Sequence, residues 1–468
     1  MHLPKTRTLK LKPIDASFRD PSGYLFERDD VILRKINASY LEEYNHLMSS
    51  GLYEELTHRG LLISHTELTQ QEQTDGGKVI EPQQLKYVSY PYEWCFSQLK
   101  DFALLTLKVQ LLSMKYGMSL KDASVYNVQL HEGKPCFIDT LSFEKYQEGS
   151  PWKAYRQFCQ HFLAPLALIS YRDYRLNKLL TAYMDGIPLD LASQLLPRKS
   201  WFSYGILAHI HLHAMSQIRH ADDAAASKVP SQVQMSRTQL EGLLGSLQNI
   251  TQKLQWQPPN TEWGDYYSAT NYVDEAMQYK ESLVRQLVKE CSSDGTRAAD
   301  FGANTGRFSR IAMSEGYQVL SCDVDEVAVE KNYRQMRNDG ETGLVPLLQD
   351  ITNPSPGIGW MCSERDGFLQ RTRVDLGMAL ALIHHIAISN NVPLERCAAF
   401  FHSTCDNLII EFVPKEDSQV RRLLATREDI FPHYTKEGFE AAFGKYFSIE
   451  NALAIPESER FLYLMSKS

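Results

Sequence analysis

The chain has 468 residues, 43% of them hydrophobic and 23% charged, with a net charge of −8. That length exceeds one ordinary domain and predicts two or three, each able to bury its own core. The negative balance argues against broad electrostatic attraction to nucleic acid or an anionic membrane, and no apolar run reaches the length of a membrane span.

Eight cysteines, at 95, 136, 159, 291, 322, 362, 397 and 405, form no Cys-x-x-Cys pair. They are expected as buried thiols in a reducing cytoplasm, with no metal site. Residues 1–13 carry Lys5, Arg7, Lys10 and Lys12 but no apolar core region, so no secretory signal is expected.

From the start of the chain, Asp20-Pro21-Ser22-Gly23-Tyr24 predicts a turn, and 24–27 with 31–36 predict a hairpin across Arg28-Asp29-Asp30. A helix is expected over 38–50, a loop with a short helix over 66–81 and a strand over 85–90. Leu99, Phe102, Leu105, Leu107, Val109, Leu112 and Met114 predict one long buried helix over 96–117.

Asp122 and Asn127 then stand in the pattern Asp-x-x-x-x-Asn, and Asp139 ends the next strand 12 residues on. A base, an amide and a carboxylate in this order resemble the trio of protein-kinase and aminoglycoside-phosphotransferase-like enzymes. The resemblance implies a kinase-like α+β domain over residues 1–215, active or degenerate, with ATP and Mg2+ as its ligands. Arg34 or Lys35 would take the place of the phosphate-binding lysine. The pattern departs from that family in lacking a Gly-x-Gly-x-x-Gly loop and a Val-Ala-Ile-Lys strand, and Thr140-Leu141-Ser142-Phe143 replaces Phe-Gly. A plainer reading makes Asp122, Asn127 and Asp139 caps of turns.

His209, His211 and His213 lie among apolar neighbours and are expected to pack within a helix rather than ligate a metal. Residues 216–260 predict a linker with a polar loop near 222–230 and a bridging helix over 236–254. An aromatic segment with Tyr266 and Tyr267 precedes a helix over 273–290.

The stretch Asp300-Phe301-Gly302-Ala303-Asn304-Thr305-Gly306 reads as a buried strand running into a glycine turn and a helix. A dinucleotide fingerprint needs glycines at 302, 304 and 307, but Asn304 and Arg307 stand there. Asp300-Phe301-Gly302 also spells the kinase metal-binding tripeptide, but no catalytic loop lies shortly upstream. Further strands are expected over 317–323, 345–350, 374–382 and 407–413, followed by an antiparallel pair over 447–453 and 461–465. Asp323 follows Asp300 by 23 residues, close to the ~20-residue offset at which an acid meets a ribose in related folds.

Together these features resemble class I S-adenosylmethionine (SAM) dependent methyltransferases, with Asn304 in place of the usual middle glycine. The resemblance implies an α/β fold over residues 261–468, a Rossmann-like parallel sheet closed by an antiparallel hairpin. It implies that Asp300, with backbone groups at Gly302 and Gly306, receives the methionine ammonium, that Asp323 (or Asp325) binds the ribose, and that Asp350 binds the adenine amine. Tyr266, Tyr267 or Lys280 would cover the cofactor. His384 or His385 would be the base beside the methyl group, with Glu411 a weaker candidate. The Asn/Asp-Pro-Pro-Tyr/Phe motif of amine and nucleobase methyltransferases is absent, which favours an oxygen, carboxyl, phosphate or carbon acceptor. The two-part layout also resembles bacterial methyltransferases related to a nodulation protein, pointing to a glycan or small molecule. Three functions are open: a methyltransferase whose first domain presents substrate, a bifunctional kinase–methyltransferase, or a non-catalytic SAM-binding protein.

Overall fold

The computed structural model describes residues 12–68, 76–216, 234–259, 274–291, 296–425, 427–456 and 458–468. The basic residues Lys5, Arg7 and Lys10, the polar loop near 222–230 and the aromatic segment with Tyr266 and Tyr267 lie outside them.

The first sheet is antiparallel. Its strands are β1 (Lys12–Pro13), β2 (Gly23–Arg28), β3 (Val31–Ile36), β4 (His65–Glu67) and β5 (Lys78–Pro82), in the order β1-β2-β3-β5-β4. The β2–β3 hairpin turns through Asp29 and Asp30, both left-handed at φ 53° and 62°, a conformation that two-residue hairpins require and short polar side chains tolerate. Helices α1 (Leu41–Ser49) and α2 (Leu52–His58) follow β3.

Two expectations are corrected here. The two ends of the loop with a short helix expected over 66–81 form the strand pair β4–β5, with Thr66 opposite Glu81, while 69–75 lie outside the described residues. Strand β4 is an edge strand with an exposed face, so its polar residues imitate a loop in sequence. The strand expected over 85–90 is extended chain outside any ladder. The Gln129 side chain takes the partner's place, accepting from the Ser89 N–H at 2.9 Å and donating to its carbonyl at 2.8 Å.

Helix α3 (Phe96–Lys115) stops two residues short of the expected 96–117, with Leu99, Phe102, Leu107 and Val109 buried. Four short strands follow: β6 (Met118–Leu120), β7 (Val128–His131), β8 (Lys134–Phe137) and β9 (Phe143–Lys145). They form two antiparallel pairs, β6–β9 and β7–β8. The Arg237–Lys253 helix opens with a reciprocal cap between Ser236 and Gln239 and buries Leu240, Leu244 and Leu247.

The second sheet has seven strands: β10 (Arg297–Phe301), β11 (Gln318–Asp323), β12 (Leu344–Leu348), β13 (Val374–Ala379), β14 (Cys405–Phe412), β15 (Phe447–Ala454) and β16 (Phe461–Lys467). Their order is β12-β11-β10-β13-β14-β16-β15. The first five are parallel, and β16 lies antiparallel between β14 and β15. Successive strands step outward from β10 to β12, then resume on its other side at β13. A crevice opens at the carboxyl edge where that order reverses.

One cluster of buried residues runs from Leu47 to Met465, joining the helices of the first half to the seven-stranded sheet, while the first sheet buries Ile36 with Ile80 and Phe26 with Leu33 in two smaller clusters of its own. Polar contacts also join the two parts. Glu330 accepts from Ser97 N and Oγ at 3.0 and 2.5 Å at the start of α3, and buried Glu93 pairs with Arg371 at 2.5 Å.

Candidate functional site

Beyond β10 the chain makes a left-handed turn through Gly302, Asn304 and Gly306, at φ 77°, 51° and 79°. Gly306 is required twice over. Its φ disfavours any side chain, and an added Cβ would lie 2.5 Å from Asn332 Oδ1. The turn delivers the Asn304 N–H to Asp323 Oδ2 at 2.7 Å, while Asp323 Oδ1 accepts from the Asp325 N–H at 2.9 Å. The glycine turn and the end of β11 are thereby tied into one wall.

Asp300 is buried beneath that wall. Its Oδ2 accepts from Ser309 Oγ at 2.6 Å, and Ser309, Ser321 and Asn332 continue a chain of hydrogen bonds. Burial, reinforced by the charge of Asp323 and opposed by Ser309, pushes Asp300 up to about 7. Burial likewise pushes Asp323 up to about 6, against the two backbone N–H groups it accepts from. Asp325, the alternative to Asp323, caps the Glu326–Asp339 helix by accepting from Val327 N and Ala328 N. Asp350 lies two residues beyond β12, half-buried, and holds the N–H and hydroxyl of Thr352.

On the other side of the switch, Ala381 lies two residues beyond β13, left-handed at φ 52°. Its N–H donates to Glu411 Oε2 at 2.8 Å. Glu411, fully buried on β14, also pairs with Lys280 Nζ at 2.5 Å and Arg460 Nη1 at 3.1 Å. Burial alone would raise its pKa, but those two cations hold it below the usual carboxylate range. Arg460 reaches on to Asp417 at 2.7 Å. Lys280 thus stands in the site as the partner of Glu411, 4.9 Å from the Phe308 ring. Arg460 and Ala381 were not legible as site residues. Arg460 comes from the linker between β15 and β16, and only closure of the sheet carries it there.

His384 and His385 begin a π-helical turn, His385–Ser389, with ring centroids 4.1 Å apart. Widened turns of this kind recur at functional sites. His384 is buried, and its Nδ1 has no hydrogen-bond partner among the described residues. Burial, aided by the neighbouring His385, Arg460 and Lys280, holds His384 well below the ordinary histidine value, and burial with Arg460 brings His385 down to about 4. Both imidazoles are therefore neutral near pH 7, and the same burial and nearby cations oppose their protonation.

A second cluster lies in the first half. Arg34 Nη2 bridges Asp20 and Asp139 at 2.6 and 2.9 Å. Asp139 also accepts from Leu141 N at 3.2 Å and from Ser142 Oγ, which receives Asn127 Nδ2 at 3.0 Å. Asp122 accepts from Ser124 N and Gln157 Nε2, and burial together with the charge of Asp139 raises its pKa. The fold thus gathers Arg34, Asp122, Asn127 and Asp139, and both aspartates also cap turns. Lys35 is buried on the opposite face of β3.

Among the described residues no group of three or more His, Cys, Asp or Glu is placed to hold a metal. His209 bonds Tyr155 and Ser246, and His211 bonds Ser193 and Ser200.

No family model matches the chain. Nodulation protein NoeA of Rhizobium meliloti (strain 1021) is 34% identical over 469 residues, covering 97% of this chain and 96% of NoeA. The chain belongs to the NoeA family.

Solved structures similar to this NoeA-family chain include WbdD co-crystallised with the kinase inhibitor LY294002, at 13% identity and a TM-score of 0.30. That match covers 42% of this chain and 41% of WbdD. Magnesium protoporphyrin IX methyltransferase (ChlM) from Synechocystis PCC 6803 with bound SAM matches at 15% identity and a TM-score of 0.30, covering 44% and 90%. N-methyltransferase NodS from Bradyrhizobium japonicum WM9 matches at 9% identity and 0.31, covering 42% and 97%. Superpositions this shallow leave the NoeA-family chain's own strand order and site residues as the ground for its function.

Proposed function

We propose that this NoeA-family chain is a SAM-dependent methyltransferase whose second half, residues 261–468, binds the cofactor at the carboxyl edge of the seven-stranded sheet. One observation carries this reading. The point where the strand order reverses brings together a left-handed glycine turn and two buried aspartates from adjacent strand ends, Asp300 and Asp323. The order, with its antiparallel β16 inserted beside β14, supports a Rossmann-like reading of the class I methyltransferase kind.

SAM would supply an electrophilic methyl group on a sulfonium. The remaining work falls to the chain's residues. Asp300, with backbone groups at Gly302, Asn304 and Gly306, would take the ammonium end, Asp323 the ribose hydroxyls and Asp350 the adenine amine. His384, whose Nδ1 has no hydrogen-bond partner among the described residues, would accept the proton of an acceptor hydroxyl once the acceptor is bound, and His385 would hold the neighbouring face. Glu411 would organise the turn at Ala381 through its N–H. The acceptor in this reading is an oxygen of a glycan or small molecule, in keeping with the missing nucleobase motif.

The first half, residues 1–215, would present substrate on a degenerate kinase-like frame. Its five-stranded antiparallel sheet, long α3 and paired β6–β9 and β7–β8 strands support that frame. A second reading, a bifunctional kinase–methyltransferase using ATP and Mg2+, is favoured by the gathering of Arg34, Asp122, Asn127 and Asp139. Against it, the carboxylates of Asp122 and Asp139 already accept from protein donors.

Heat unfolding of the purified chain with SAM, with ATP and magnesium, and with neither separates these readings. Ligand at 100 times its Kd stabilises by about 2.7 kcal/mol. A shift with SAM that disappears in Asp323→Ala supports methyl transfer, an ATP shift lost in Asp139→Ala supports the bifunctional enzyme, and no SAM shift overturns the proposal.

A further inference from the structure

We propose that the tip formed by the Arg198–Phe202 turn and Tyr204 docks this protein on an anionic lipid surface. Trp201, Phe202 and Tyr204 are 43%, 92% and 79% exposed, and Leu212 and Met215 nearby are also exposed. So much aromatic surface within a few residues is unusual for a free protein face.

The tip is built rather than slack. Trp201 stacks on His211, with centroids 4.2 Å apart and planes 9° from parallel. His211 is buried and held from both ring nitrogens, by Ser193 Oγ at 2.7 Å and Ser200 Oγ at 2.8 Å. Ser200 in turn donates to the Pro197 carbonyl at 2.7 Å. On the far side, Gly205 presses against the Arg237–Lys253 helix, where an added Cβ would lie 2.6 Å from Ile250. The turn is therefore pinned at both ends while its rings face outward.

Shape and charge choose the occupant. A phenyl ring exposed over 92% of its residue surface protrudes and is no wall of a cleft, so a deformable phase suits it better than a rigid small ligand. Trp and Tyr favour the boundary between headgroup and acyl chain, and Phe favours the layer beneath. Arg198 and Lys199 are exposed at the same turn, and residues 191–216 contain no Asp or Glu although the whole chain carries −8. Those two cations beside the exposed rings match acidic headgroups.

Co-sedimentation of the full chain with phosphatidylcholine vesicles, with and without phosphatidylglycerol, tests it. Binding is expected with the anionic vesicles, weaker at high salt, and reduced about tenfold or more in Phe202→Ser/Tyr204→Ser. Those side chains are exposed, so an unchanged unfolding temperature verifies that the variant is folded. Absence of sedimentation overturns the proposal, as does a variant that sediments like the parent. Self-association of the lipid-free chain that the same substitutions dissolve would assign the tip to protein contact instead and also overturn it.

Discussion

Asp300 and Asp323 are carboxyl groups held in a dry wall, and their protonation reports on the site. Both have folded pKa values, about 7 and about 6, above the ~4 of an unfolded aspartate. Between those limits the native state holds protons that the unfolded chain has released. Their contribution to stability is therefore present at low pH and is lost as pH rises through the folded values. Urea unfolding of the ligand-free chain should show this fall between pH 4 and 7, and Asp300→Asn should flatten it. The proposed cationic ligand favours the ionised acids, so SAM affinity is expected to climb over the same rise in pH. A SAM affinity that is flat with pH would remove Asp300 from the ammonium site.

At the scale of elements, the glycine turn between β10 and the Arg307–Ser314 helix is the most constrained segment of the site. Left-handed Gly306 sits against Asn332 and Arg310, themselves part of the hydrogen-bond chain that reaches Asp300. Gly306→Ala should cost at least about 1 kcal/mol from its φ alone. It should also displace Asn332 and weaken cofactor binding more than it lowers stability, a contrast that calorimetry and urea unfolding together measure. The same turn made this segment readable in advance, because glycine spacing and a terminal acid are local features. Strand β4 was not readable, since an exposed edge strand shares its composition with a loop. Nor was the role of 85–90, where a Gln129 side chain replaces a strand.

Across the whole molecule, the two halves meet through buried charge. Arg371 pairs with Glu93, donates to the Val88 carbonyl at 2.6 Å and lies 4.2 Å from the centre of the Tyr90 ring. Removing one partner of such a pair leaves the other desolvated and alone. Glu93→Ala is expected to cost about 3–5 kcal/mol, seen as a lower urea midpoint. Because one core cluster spans both halves, that loss should lower the unfolding of both together; separate transitions in the parent protein would contradict it.

The sequence by itself determined the parallel strands of the second half, the long α3, the acids at the ends of β10 and β11, and the His pair after β13. Each is written in local periodicity or in residues a few positions apart. Only the tertiary structure decided which charges those groups face. Lys280 and Arg460 converge on Glu411 from positions 131 and 49 residues away, and Arg371 finds Glu93 across 278. Pairings at such separations depend on how sheets and helices close around a shared core, and no local pattern in the chain encodes them.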